Sequence, residues 1–187
     1  MKKLNIDTNV YLYPMPVVLV GAIVQGKPNF MTVGWVSRVN FKPPMIAVSI
    51  NKAHYTSQGI RETGAFSVNI PGKTMVKLTD YCGLVSGRKV DKGMLFEIFY
   101  GELQGAPMIT ECPLNMECKL VDSIDLPSNE LFIGEITGAY CGEQFMTNDK
   151  PDIKKIDPFV LSMPDNSYWG IGEFVAKAWN VGKEFKK

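Results

Sequence analysis

The sequence predicts a mainly β protein: an antiparallel barrel with short peripheral helices. Three observations carry this. Apolar, β-branched runs recur along the chain, at residues 17–24, 45–50 and 130–140. Residues 65–70 and 114–121 alternate apolar and polar with the period of two that marks a half-buried strand. The strands also follow one another without a helix between each pair, which argues against a doubly wound parallel sheet.

Taken in order, residues 4–16 hold scattered apolar positions and end in Tyr13-Pro14-Met15-Pro16, an extended entry. Residues 17–24 form the first strand, and Gln25-Gly26-Lys27-Pro28 reads as a turn. The centre of the chain is 29–51. There two β-rich runs, 31–39 and 45–50, flank a Lys42-Pro43-Pro44 break. A double proline cannot sit in a central strand, so it places the connection. The first run carries Thr32, Gly34 and Ser37; a glycine inside a strand marks a bulge or a close approach to the backbone.

A short helix is expected over 56–63, with Thr56 or a neighbour as N-cap and Gly64 as stop. In the strand at 65–70, Phe66, Val68 and Ile70 share one face. A second helix starts near Thr74 and ends at Gly83, and 84–107 shows no clear periodicity. In 114–121, Leu114, Met116, Cys118 and Leu120 point inward. Gly134 and Gly138 should bend the long strand at 130–140. A further strand is expected at 159–163. The stripe Val175, Ala178, Trp179 and Gly182 predicts a C-terminal helix over 173–185.

The totals exclude several function classes. The 187 residues suggest one domain, with 45% apolar and 21% charged residues as in a globular chain. A net charge of +1 argues against a nucleic-acid binder. The apolar run at 17–24 is far too short to span a membrane, and no signal-length run follows the first lysines. A cytoplasmic protein with no membrane contact is the expectation. The four cysteines, Cys82, Cys112, Cys118 and Cys141, show no metal or thioredoxin-like spacing, so free thiols and no metal are expected. His54 is the single histidine, which leaves little for a metalloenzyme or a serine–histidine triad. Gly72-Lys73-Thr74 resembles the end of a phosphate-binding loop, but Ser67 stands where its first glycine belongs. There is no G-x-G-x-x-G fingerprint for a dinucleotide fold.

The informative set is ordered along the chain: Asn29-x-Met31-Thr32-x-x-Trp35, Pro43-Pro44, Ser49-x-Asn51-x-x-His54-Tyr55-Thr56, then Gly64-x-Phe66-x-Val68-Asn69. It resembles the flavin reductase-like family of FMN-binding split barrels. Cys82-Gly83-x-x-Ser86-Gly87-Arg88-x-x-Asp91-Lys92 is similar to the flavoredoxin branch of that family. The resemblance covers about residues 10–165. It implies a homodimer of split β-barrels with FMN near the subunit interface. It also implies an oxidoreductase that passes hydride from NADH or NADPH to the flavin and electrons on to an acceptor that the sequence leaves open.

The residues suit that chemistry. FMN has a flat apolar ring with polar edges and a doubly anionic phosphate. Met31, Thr32, Val33 and Gly34 can bring backbone N–H groups to the ring edge, with Asn29 on the same strand and Trp35 covering the ring or walling the pocket. Ser49, Asn51, His54, Tyr55 and Thr56 supply donors where a strand gives way to a helix, a place where anions bind. Arg88 and Lys92, on the Ser86-Gly87 loop, add cationic charge for a phosphate or a nicotinamide nucleotide. Each has a plainer reading: Trp35 as core, His54 as a helix cap, Arg88 and Lys92 as a solvated turn. Tyr168-Trp169 is either core or a flavin contact from one subunit or the other. No side chain is assigned as general acid or base. A flavin-binding electron carrier without pyridine-nucleotide activity, or a barrel without cofactor, are the competing readings.

Overall fold

The computed structural model describes residues 1–185. After the two-residue β1 (Met15–Pro16), strands β2 (Val18–Val24) and β3 (Lys27–Val33) form a hairpin closed by Gln25 and Gly26. Both turn residues have positive φ, 51° and 78°, as the favoured two-residue hairpin turn requires. The chain passes through Gly34-Trp35 into β4 (Val36–Asn40), turns at the two prolines, and returns as β5 (Met45–Asn51). The run at 31–39 is therefore two strands, because Gly34-Trp35 carries the chain from one sheet edge to the other. Helix α1 (Tyr55–Thr63) follows and stops at Gly64, which takes the left-handed conformation at φ 64°. Then come β6 (Ala65–Ile70) and α2 (Val76–Leu84).

Beyond α2 lie the short pair β7 (Ile98–Phe99) and β8 (Met108–Ile109), then the long strands β9 (Leu114–Asp125) and β10 (Asn129–Cys141). The register of β10 against β9 shifts at Ile133/Gly134 and Ile136/Gly138, as the two glycines predict. Gly134 is also needed for close approach, since a Cβ there would lie 2.6 Å from the Phe66 ring. The small pair β11 (Met146–Thr147) and β12 (Lys150–Pro151) and the one-turn α3 (Ile153–Ile156) lead to β13 (Phe159–Ser162) and β14 (Ser167–Gly170). β13 pairs with both β14 and β1.

The main sheet has the order β3-β2-β6-β9-β10-β5-β4 with antiparallel neighbours. Its two edge strands are consecutive in the chain, so the two-residue link Gly34-Trp35 curls the sheet into a barrel that is split there. The interior holds Val18, Val20, Val48, Phe66, Val68, Cys118 and Phe132. A second cluster of Leu19, Phe30, Cys82, Phe96, Ile109 and Cys112 covers the outer face of β2 and β3 beneath α2. Met116 and Cys118 face the barrel as predicted, but on the opposite face of β9 Asn115 and Glu117 are buried as well. Asn115 there bonds Asn69 and the Ile109 carbonyl, each at 2.8 Å. Gly59 lets α1 lie on β2, for a Cβ there would overlap the Ile23 carbonyl oxygen.

The C-terminal expectation is corrected. Residues 173–180 form no helix, and only Val181–Glu184 makes a single 3-10 turn. The stripe has nothing to pack on in one chain: Val175 is 94% and Trp179 95% exposed. An isolated helix of this length is marginal without a surface to bury its apolar face.

Candidate functional site

Two compartments meet beside the split. The first, of about 220 Å³, lies between the end of β3, the Gly34-Trp35 link and the end of β5. Its wall holds Met31, Thr32, Val33, Gly34, Trp35, Ser49 and Asn51, with Ile50, Asn129, Leu161 and Met163 added from neighbouring strands. Trp35 is 45% exposed, so it walls this space instead of filling the core. The Trp35 carbonyl accepts from the Ser49 N–H at 2.9 Å, and the Asn129 amide donates to Ser49 Oγ at 3.2 Å. The Thr32 hydroxyl donates to the Thr79 carbonyl and so ties β3 to α2.

The second compartment, of about 190 Å³, lies at the start of α1. Asn29, Met31, His54, Tyr55, Thr56, Ser86, Gly87 and Lys92 line it, with the end of α2 from Cys82 to Val85. His54 is the N-cap residue of α1 and Thr56 the second helical residue, so the helix starts one residue before the sequence suggested. No side chain caps it and no acidic residue sits in its first turn, which leaves the first N–H groups free for an anion. His54 thus holds the cap position of its plainer reading, but its side chain makes no hydrogen bond to the helix.

Asn29 Nδ2 donates to Thr56 Oγ1 at 2.7 Å, leaving the Thr56 hydroxyl proton to donate elsewhere. Asn29 is buried, yet its Oδ1 has no partner among the described residues. A buried acceptor without a donor is costly and suits a ligand hydroxyl. Gly87 is required here: a Cβ on it would overlap Asn29 Oδ1. Lys92 is only 3% exposed and its Nζ donates to the Cys82 carbonyl at 2.7 Å. Burial lowers its pKa. It remains the ammonium of this compartment at neutral pH, with N–H groups to spare.

Met31 and His54 line both compartments, so the two adjoin as one site with a largely apolar part and a polar, cationic part. The structure thus brings together the predicted site residues, with one exception. Arg88 lines neither compartment itself but lies against two residues that do, its guanidinium 5.0 Å from the Tyr55 ring centroid and its Nη1 donating to the Ala53 carbonyl at 3.2 Å. It lines an adjoining cleft with Lys27 and Lys89, and this cleft shares Asn29, Tyr55, Gly87 and Lys92 with the second compartment, so Arg88 borders the cationic end. Sequence reasoning missed Asn129, Leu161 and Met163, which carry no motif; strand pairing brings the first two, and Met163 follows in the turn after β13. Tyr168 and Trp169 do not line the site within one chain: the Tyr168 hydroxyl donates to Asp80 at 2.8 Å and Trp169 Nε1 to Ser162 Oγ at 2.8 Å.

Burial, and then the charge of Lys92, lower the His54 pKa below its ordinary value of 6.5, so it is neutral at pH 7. An anion beside it would reverse that shift. The preference for FMN over riboflavin is therefore expected to grow as pH falls below neutral and His54 gains its proton. His54→Gln should flatten that trend; titrations of apoprotein with both flavins across this range measure it.

Burial pushes the Cys82 thiol up to about 11 and the Cys118 thiol to about 12, and raises Cys112 too. These side chains are packed thiols with little nucleophilic character at neutral pH. Among the described residues no three His, Cys, Asp or Glu side chains group as metal ligands, and no helix is long and apolar enough to cross a membrane.

This fold and site define a flavin-associated split barrel, and comparison agrees. Residues 10–152 match the Flavin reductase like domain, and the chain belongs to that family. Within it the chain falls in the flavoredoxin branch. It is 58% identical to the flavoredoxin of Methanosarcina acetivorans, with a TM-score of 0.96 and 98% of each chain covered. The flavoredoxin of Desulfovibrio vulgaris (Miyazaki F) is 37% identical, with a TM-score of 0.90, covering 97% of this chain and 100% of that one. A ferric-chelate reductase (NAD(P)H) of Archaeoglobus fulgidus is 28% identical, over 63% of this chain and 72% of its own. Membership supports a flavin as cofactor and a flavin-related oxidoreductase as class.

Proposed function

We propose that the protein is an FMN-dependent oxidoreductase. The observation that carries this is the continuous site, largely apolar at one end, with the free helix start, Thr56 and buried Lys92 at the other. The ring compartment suits an isoalloxazine, the unpartnered Asn29 Oδ1 suits a ribityl hydroxyl, and the cationic end suits the phosphate. Bound FMN would supply hydride acceptance from NADH or NADPH at N5 and electron release to an acceptor. The chain's own part is to bind, orient and shield the ring. Met31, Trp35 and the Gly34 backbone would hold the ring, and Lys92 would supply positive charge at the phosphate end. We further propose a homodimer that brings a second chain against the open side of the ring compartment. The same proposal puts the protein in the cytoplasm, with no nucleic-acid or membrane partner.

A second reading is favoured by the two flavoredoxins: an FMN electron carrier reduced by another protein, without NAD(P)H activity of its own. Anaerobic mixing of the FMN-loaded protein with each nucleotide separates the two. Bleaching of the flavin absorbance and steady nucleotide consumption with an acceptor support the enzyme. Flavin that stays oxidised under both nucleotides, yet is reduced by a low-potential protein donor, supports the carrier.

A further inference from the structure

The chain carries an apolar arm and an apolar hollow, and does not join them. The arm follows Gly170. Phe174, Val175, Trp179 and Phe185 are 72%, 94%, 95% and 80% exposed, far beyond what scattered surface residues show. These residues and Ala178 recur at the spacing of one helical face, yet no helix forms. The arm therefore has a sequence suited to packing and nothing in its own chain to pack on.

The hollow measures about 370 Å³ and is lined almost wholly by apolar groups, among them Val10, Leu12, Met15, Val39 and Leu131. One side of it is the edge strand β4, whose Ser37–Asn40 segment is exposed. An uncovered edge with an apolar floor is an association site unless something blocks it. No residue of the arm lines it. The arm's start is held elsewhere: Lys154 Nζ donates to the Gly172 carbonyl at 2.7 Å, and a Cβ on Gly170 would lie 3.6 Å from the Lys73 side chain.

We infer that the arm of one chain lies in the hollow of a second copy, so that the dimer is formed by exchanged arms. This rests on the homodimer proposed above and names the segment that makes it. The surface on offer is of the right size. Phe174, Trp179 and Phe185 present on the order of 400–600 Å² of aromatic surface, a large share of the roughly 800 Å² per partner of a specific interface. The hollow also shares Gly34, Trp35 and Ser49 with the ring compartment. An arm seated there closes the open side of the flavin site, which makes the second copy part of that site.

The test uses the full chain with the half-buried Cys141 changed to Ser, because the other three cysteines are buried. Trp179→Cys and Val39→Cys are made in separate preparations, which are then mixed, allowed to exchange and treated with a short bismaleimide. The expected result is a covalent species of twice the chain mass containing one chain of each kind. The double variant in one chain should likewise give interchain, not intrachain, links. A chain ending at Gly170 should lose dimer mass in light scattering and bind FMN more weakly. Dimeric mass with no link between the two introduced thiols, or a shortened chain that stays dimeric with unchanged FMN affinity, overturns the arm exchange while leaving the dimer standing. An intrachain link overturns it by placing the arm on its own hollow. Monomeric mass for the intact, FMN-loaded protein overturns the dimer and the exchange together.

Discussion

Lys92→Ala is expected to weaken FMN by roughly 10- to 100-fold and to leave riboflavin nearly unchanged. A hydrogen bond to a charged group contributes about 1.5–3 kcal/mol, and each factor of ten is about 1.4 kcal/mol. Lys92 is 3% exposed and its ammonium is held in place by the Cys82 carbonyl. Arg88→Ala is the contrast: its guanidinium lies over Tyr55 in the adjoining cleft and lines neither compartment, so FMN affinity should fall less than in Lys92→Ala. Thr56→Ala should cost about tenfold for FMN, but its riboflavin affinity should fall somewhat too, because Thr56 Oγ1 holds Asn29 at 2.7 Å. Titration of apoprotein by fluorescence quenching with both flavins reads all three. Equal weakening of FMN and riboflavin by Lys92→Ala would place its role in the fold or at the ring.

The largest stability effect should come from Glu117→Ala, far from the site. Glu117 is 1% exposed and its carboxylate accepts from the Glu102 and Leu103 N–H groups at 3.3 and 2.9 Å and from the Tyr140 hydroxyl at 3.0 Å. Gly101 and Gly138 make room for it, since a Cβ on either would lie within 2.6 Å of its Oε1. Each donor left unpaired by the substitution costs about 1–3 kcal/mol. A net loss of about 2–4 kcal/mol is expected, or roughly 5–15 °C in Tm at this chain length. Tyr140→Phe removes a single donor and should cost about 1 kcal/mol. Thermal unfolding of the three proteins checks the order; a Glu117→Ala Tm equal to that of the parent would contradict it.

Much of the barrel was legible because its signals are local. The Gln25-Gly26 turn, the Pro43-Pro44 break, the Gly64 stop and the two glycine bends each act within a few residues of themselves. The polar end of the site was legible for the same reason: His54, Tyr55 and Thr56 lie at one strand-to-helix junction. Leu161 and Met163 were not, because Leu161 reaches the site only through the pairing of β13 with β1 and Met163 follows in the turn after β13. Sequence spacing puts Arg88 on the right loop but cannot show that Tyr55 and the Ala53 carbonyl hold it in the adjoining cleft. The C-terminal helix was misread because its periodicity records a face to be buried, and one chain supplies no surface for it.

The central claim is that the continuous site takes FMN. Its most direct test is a titration of apoprotein with FMN and with riboflavin, followed by acid precipitation of the loaded protein. The account predicts about one FMN per chain, bound more tightly than riboflavin and released into the supernatant. A colourless preparation that also fails to bind added FMN would contradict it.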